Sequence, residues 1–258
     1  MPPIITERDG PVLRVTLNRP EVRNAFDEEV VAAISSLAAT AAQDNHLRAV
    51  VIAGNGKAFC AGADIAWMAK SIAYSQQENL SDAEDLARML ERLDTLPVPV
   101  IGRIHGAALG GGVGIAAVCD IAIAEEDAVF ALTEVRLGIL PAVVAPYVIR
   151  KIGVSAAREL FLTGSRFGAA RAKQIGLVHE VVPAADLDDA VERRIAEIMI
   201  AGPRAIATAK ALIRQIAGVP PTDVIGLTTN TIAAQRVSNE GQEGLRAFLE
   251  KRKPSWIP

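Results

Sequence analysis

Residues 104–118 constrain this chain most: the stretch is almost free of charge, yet it holds His105 and five glycines. A helix that crosses a bilayer needs about 20 mostly apolar residues. This segment is too short and too interrupted for that, so it must lie buried as a glycine-rich turn leading into an apolar helix. Pro99-Val100-Ile101-Gly102-Arg103-Ile104 reads as the strand that feeds it. Enclosing such a turn takes a large core. With half the residues hydrophobic and 22% charged, the chain has the material for one.

The flanking segments are consistent with that core. Val12-Leu13-Arg14-Val15-Thr16-Leu17 alternates like a strand with one wet face. Acids at Asp27-Glu28-Glu29 open a helix predicted to run to about residue 42. Ala49-Val50-Val51-Ile52-Ala53 reads as a buried strand closed by Gly54-Asn55-Gly56. A polar-faced helix is expected over residues 77–95, stopped by Pro97 and Pro99. Short strands follow at 121–124 and 128–131. Beyond Leu140, helices are expected at 142–151, 155–162, 168–175, 186–201, 203–217 and 222–237, with a strand at 177–182 between them. Strands alternating with helices and then a helical run predict an α/β core over residues 1–200 and a helical part over 201–258. Strand, small-residue loop and helix start occur twice, at 50–65 and at 100–112, a short internal echo.

Composition narrows the function. A net charge of −3, scattered basic residues and 4% aromatics argue against a nucleic-acid platform or an anionic membrane as partner. Cys60 and Cys119 cannot build a disulfide framework, and His46, His105 and His179 lack metal-ligand spacing, so no metal is expected. Residues 1–10 carry Glu7 and Asp9 and no apolar run, which predicts a cytoplasmic protein without a leader. Gly110-x-Gly112-x-Gly114 matches neither the dinucleotide fingerprint nor a P-loop. Small residues at two helix starts do expose backbone N–H groups at the positive end of each dipole, around Ala63 and Gly111. Facing one another, such termini can hold a developing oxyanion; taken singly, each is equally a tight turn.

Lys57-Ala58-Phe59-Cys60-Ala61-Gly62-Ala63-Asp64-Ile65, His105-Gly106-Ala107-Ala108-Leu109-Gly110-Gly111-Gly112 and Cys119-Asp120-Ile121-Ala122-Ile123-Ala124 together resemble the enoyl-CoA hydratase/isomerase (crotonase) family. Glu134-Val135-Arg136-Leu137-Gly138-Ile139-Leu140-Pro141 and Phe248-Leu249-Glu250-Lys251-Arg252 extend the likeness over nearly the whole chain. The resemblance implies an α/β fold, a crotonase-like spiral of ββα units with a helical C-terminal trimerisation region. A homotrimer or dimer of trimers is implied with it. No separate cofactor is implied, since coenzyme A arrives as the carrier part of the substrate.

By the same resemblance, the amides of Ala63 and Gly111 form the oxyanion hole, and Glu134 is the catalytic acid–base. Lys57, Ala61, Asp64, Ile65 and Arg23 fall at positions of the coenzyme A groove, with Phe248 and Lys251 supplied by a neighbouring subunit. The departure is Gly114, which stands where two-glutamate hydratases of the family carry their other glutamate. A glutamate restored at 114 is expected to raise simple hydration if it faces the site. Pro141-Ala142-Val143-Val144-Ala145-Pro146-Tyr147-Val148 is similar to the subgroup of methylglutaconyl-CoA hydratases. Three readings stand: hydration of a 2-enoyl-CoA, of which branched 3-methylglutaconyl-CoA is an example; isomerisation of a 3-enoyl-CoA by the single glutamate; and a catalytically weak acyl-CoA-binding scaffold.

Overall fold

The computed structural model describes residues 1–257. β1 (Ile4–Asp9) and β2 (Val12–Leu17) form a hairpin, with Asp9 opposite Val12 across a turn at Gly10. α1 (Glu28–Ala41) starts at Asp27, whose carboxylate accepts the Val30 amide. It leads to β3 (Ala49–Gly54), then α2 (Ile65–Ser71) and α3 (Gln76–Thr95). Ser75 and Glu78 form a reciprocal capping box that fixes the start of α3.

β4 (Val100–Ile104), the short β5 (Ala107–Leu109) and α4 (Gly111–Val118) come next. β6 (Ile121–Glu125), β7 (Val129–Ala131) and α5 (Ala145–Thr163) follow; α5 is broken at Gly153, so the two expected helices meet end to end. The chain then forms β8 (Phe167–Gly168), α6 (Ala169–Gln174), β9 (Glu180–Val182), α7 (Leu187–Met199), α8 (Pro203–Ile216), α9 (Ile225–Val237) and α10 (Asn239–Leu249).

Two sheets result. The larger has six strands in the order β1-β2-β3-β4-β6-β9, parallel from β2 onward. The smaller has the order β5-β7-β8, with β5 and β7 parallel. Buried Phe59, Met89, Leu90, Ile104, Ile115 and Phe130 belong to one core cluster between α1, α3, α4 and the sheets. A second cluster packs α7 against the other face of the large sheet through Val51, Ile101, Ile123 and Leu187. Both cysteines are buried and unpaired, and burial pushes each thiol up to about 12.

Four elements differ from the sequence expectation. β1 is nearly all exposed, so it lacks the apolar alternation that marks a strand. β5 is a three-residue strand set inside the glycine-rich turn. α10 extends the helical run beyond residue 237. The strand expected at 177–182 begins only at Glu180, because buried Leu177 and Val178 form a turn into it. No helix among the described residues is long and apolar enough to cross a membrane. α8 and α9 contain no buried residue, and Ile213, Ile232, Val237, Phe248 and Leu249 lie exposed on α8–α10.

Candidate active site

The internal echo turns out to be two loops lying side by side. The Cys60 amide donates to Ala107 O at 3.0 Å, and the Leu109 amide donates to Cys60 O at 2.9 Å. On the other edge of the first loop, the Phe26 amide donates to Gly62 O and the Asp64 amide to Phe26 O, both at 2.7 Å. This bridge uses the groups on either side of Ala63. The Ala63 N–H is left with no backbone acceptor among the described residues. Gly111 is the first residue of α4, and its amide is likewise free, as the geometry of a helix start dictates.

Glycine is what lets these loops touch. Gly62 and Gly110 have φ of 93° and 49°, backbone that side chains rarely adopt. A Cβ on Gly62 would lie 3.0 Å from Leu109 O, and one on Gly110 would lie 3.1 Å from Glu134 Oε1. The strand register brings the glutamate there. Leu109 pairs with Ala131 in the parallel β5–β7 ladder, so Gly111 and Glu134 emerge just beyond the same carboxyl edge. Glu134 opens a tight helical turn closed by left-handed Gly138.

One carboxylate oxygen of Glu134, Oε2, is buried without any hydrogen-bond partner. Burial pushes its pKa above the usual carboxylate range. Ala63, Gly111 and Glu134 all line a single cavity of about 360 Å³. Its remaining wall is mainly apolar, with Trp67 and Met68 from α2, Ala83 and Leu86 from α3, and Val143 and Val144 before α5. Of that wall, the sequence motifs mark only residues 141–144; the α2 and α3 residues look like ordinary helix positions until those helices are placed.

The remaining site positions are distributed as follows. Ala61 lines the cavity, and its amide donates to Arg23 O, which places Arg23 directly beside the loop. Lys57 is exposed at the start of that loop. Asp64 is buried: it caps α2 through the Ala66 amide and pairs with Arg19 at 2.9 Å. Burial works to raise its pKa, but the Ala66 amide and the Arg19 guanidinium hold it below the usual value. Ile65 is 81% exposed on α2 and does not line the cavity. Phe248 and Lys251 lie at the end of α10, also outside the cavity wall.

Gly114 has no room for a side chain. A Cβ there would meet Val144 Cγ1 at 2.4 Å, so Val144 fills the space a second carboxylate would need. The expected gain from a glutamate at 114 is therefore blocked in this packing. Tyr147 is no hydroxyl donor to the cavity either; its ring packs on the core beneath the Arg150 guanidinium at 5.6 Å. Two histidines are spent on the frame: His105 Nε2 is 3.0 Å from Gly56 O, and His179 Nδ1 accepts the Ala122 amide. No cluster of metal-ligating side chains occurs among the described residues.

The family model for enoyl-CoA hydratase/isomerase matches residues 7–257. The chain belongs to the enoyl-CoA hydratase/isomerase family. It is 34% identical to the 2,3-dehydroadipyl-CoA hydratase of Escherichia coli over 99% of each chain. It is also 34% identical to the enoyl-CoA isomerase/hydratase fer4 of Mycosarcoma maydis, over 94% of this chain and 91% of that one. The crystal structure of an enoyl-CoA hydratase from Shewanella pealeana matches with a TM-score of 0.95 and 39% identity, covering 98% of this chain and 96% of that one. The crotonase-like α/β fold with C-terminal helices is thus the fold this enzyme family member has.

Proposed function

We propose that this enzyme hydrates a 2-enoyl-CoA, holding the thioester oxygen on the Ala63 and Gly111 amides while Glu134 moves the protons. The observation that carries this is the buried, unpartnered Oε2 of Glu134 in the same cavity as two free backbone amides. Glu134 as carboxylate takes a proton from water while the water oxygen bonds to Cβ. The electron pair of the double bond moves to the carbonyl, and the enolate oxygen rests on the two amides. Glu134 then returns the proton to Cα and the thioester is restored. Donors fixed on backbone need no reorganisation as charge develops, and one such donor stabilises the transition state by roughly 3–4 kcal/mol. Raising the Glu134 pKa toward the working pH suits a group that must both take and give a proton.

A second reading, isomerisation of a 3-enoyl-CoA, is favoured by the same packing: a proton moved between Cα and Cγ needs one carboxylate, and Val144 leaves no space for another at 114. The sequence likeness to methylglutaconyl-CoA hydratases makes 3-methylglutaconyl-CoA the branched substrate to compare. For coenzyme A, Arg23 and Lys57 beside the first loop supply positive charge for its phosphates. The exposed apolar side chains of α8–α10 support a homotrimer or dimer of trimers built through residues 201–258, with Phe248 and Lys251 reaching a neighbour's coenzyme. Light scattering would test this; a mass equal to the 27.2 kDa chain would refute it.

The deciding assay compares crotonyl-CoA, 3-methylglutaconyl-CoA and a 3-enoyl-CoA with the parent enzyme and Glu134→Gln. Turnover of at least one, with a loss of about 10²–10⁴ in kcat for the variant, is expected. Equal rates would remove Glu134 from the chemistry. Tight coenzyme A binding without turnover would leave the scaffold reading.

A further inference from the structure

Trp67 stands between two hollows. It lines both the cavity that holds Glu134 and a separate groove of about 440 Å³ between α1 and α3. The ring is 8% exposed, and its indole N–H donates to Asp82 Oδ1 at 3.1 Å. Asp82 belongs to the groove side, so the hydrogen bond pins the ring from behind. Other charged side chains along this groove are engaged away from the ring: Arg88 with Glu84, Arg92 with Ser35, and Glu28 with Lys70. Val31, Ala32 and Ala39 give the groove an apolar floor.

We propose that Trp67 is the partition that limits the length of acyl chain this enzyme accepts, and that Asp82 is its positioning residue. This rests on the enoyl-CoA reading above. The apolar wall on which an acyl chain would lie comes from α2, α3 and residues 143–144, and Trp67 is the one residue of that wall that also lines the groove. A rotated or truncated ring would join the two hollows into one passage between α1 and α3. Each further methylene buried there would gain up to about fourfold in binding. With the ring latched, added methylenes have no such space.

The test is kcat/KM for crotonyl-, 2-octenoyl- and 2-dodecenoyl-CoA with the full chain. For the parent, a sharp decline toward dodecenoyl-CoA is expected. Trp67→Ala raises the dodecenoyl-to-crotonyl ratio at least about tenfold, Trp67→Phe much less. Asp82→Ala, which keeps the ring but frees it, shifts the ratio in the same direction. Asp82→Asn, which retains an acceptor oxygen, keeps the parental profile, an outcome a merely structural aspartate would not produce. A ratio that stays within about twofold of the parent in both Trp67→Ala and Asp82→Ala overturns the proposal. Should Trp67→Ala fail to fold, Asp82→Ala alone decides. Absence of turnover by the parent on every thioester overturns the enoyl-CoA reading itself, and the partition falls with it.

Discussion

Replacing Gly111 with alanine adds a single methyl group to the first turn of α4. Its Cβ would lie 2.7 Å from Phe26 Cε2 and 2.9 Å from Cδ2. Phe26 is 1% exposed, so the ring has no free space to move into. Its backbone also carries the bridge to the loop of Ala63. Pressure on this ring therefore reaches both free amides. Overpacking of this kind costs about 1–3 kcal/mol, a Tm drop of about 2–12 °C for a chain of this size. Misplacing one backbone donor costs about 10²–10³ in kcat. Crotonyl-CoA hydration, followed through the loss of its conjugated absorbance, should fall by that factor, with KM changing far less. Adding Phe26→Leu to Gly111→Ala removes the clashing ring edge and should recover part of the rate. A folded Gly111→Ala enzyme with parental kcat would show that the Gly111 amide does not bind the developing charge.

Glu134→Gln should lose activity yet raise Tm at neutral pH, because burial penalises the ionised carboxylate. With the folded pKa above the unfolded one, that penalty is absent below the ordinary carboxylate pKa and grows as pH rises through the folded value. The Tm gap between variant and parent should thus close in acid; a gap independent of pH refutes this. The acid limb of kcat/KM should likewise lie above about 4.3, the ordinary glutamate value. Gly114→Glu should lower Tm without raising crotonyl-CoA hydration, and Val144→Ala in that background should restore stability by removing the 2.4 Å contact; faster hydration in the single variant would contradict the packing. Asp64→Ala removes both the α2 cap and the Arg19 partner, and should cost about 1–2 kcal/mol in denaturant unfolding. An unchanged midpoint would show the cap to be idle.

Local periodicity was enough to expect β2, β3, β4 and most helices, since each buries a continuous or alternating apolar face. It was not enough for β1, whose residues remain wet and which is held by pairing with β2 and a tight Asp9-Gly10 turn. β5 is too short to show a period, and only its register with β7 makes it a strand. The site follows the same division. Glycines at 110–112 and the small residues at 61–63 mark the two loops, because close backbone approach demands them. The α2 and α3 part of the wall leaves no comparable trace: Trp67, Met68, Ala83 and Leu86 come from two separate helices, and only tertiary packing gathers them.

An alanine scan of this enzyme would walk past the amide at position 63 and misread the one at position 111. Position 63 is already alanine, and what it contributes is a peptide N–H that every residue except proline possesses; at 111 alanine keeps the N–H and is felt only through its methyl against Phe26. Sensitivity would surface instead at silent neighbours such as Phe26 and Cys60, which hold those peptides in register. Loss of activity from a change at such a hydrophobic site would look like a folding defect, although the group displaced is a main-chain N–H of the cavity wall.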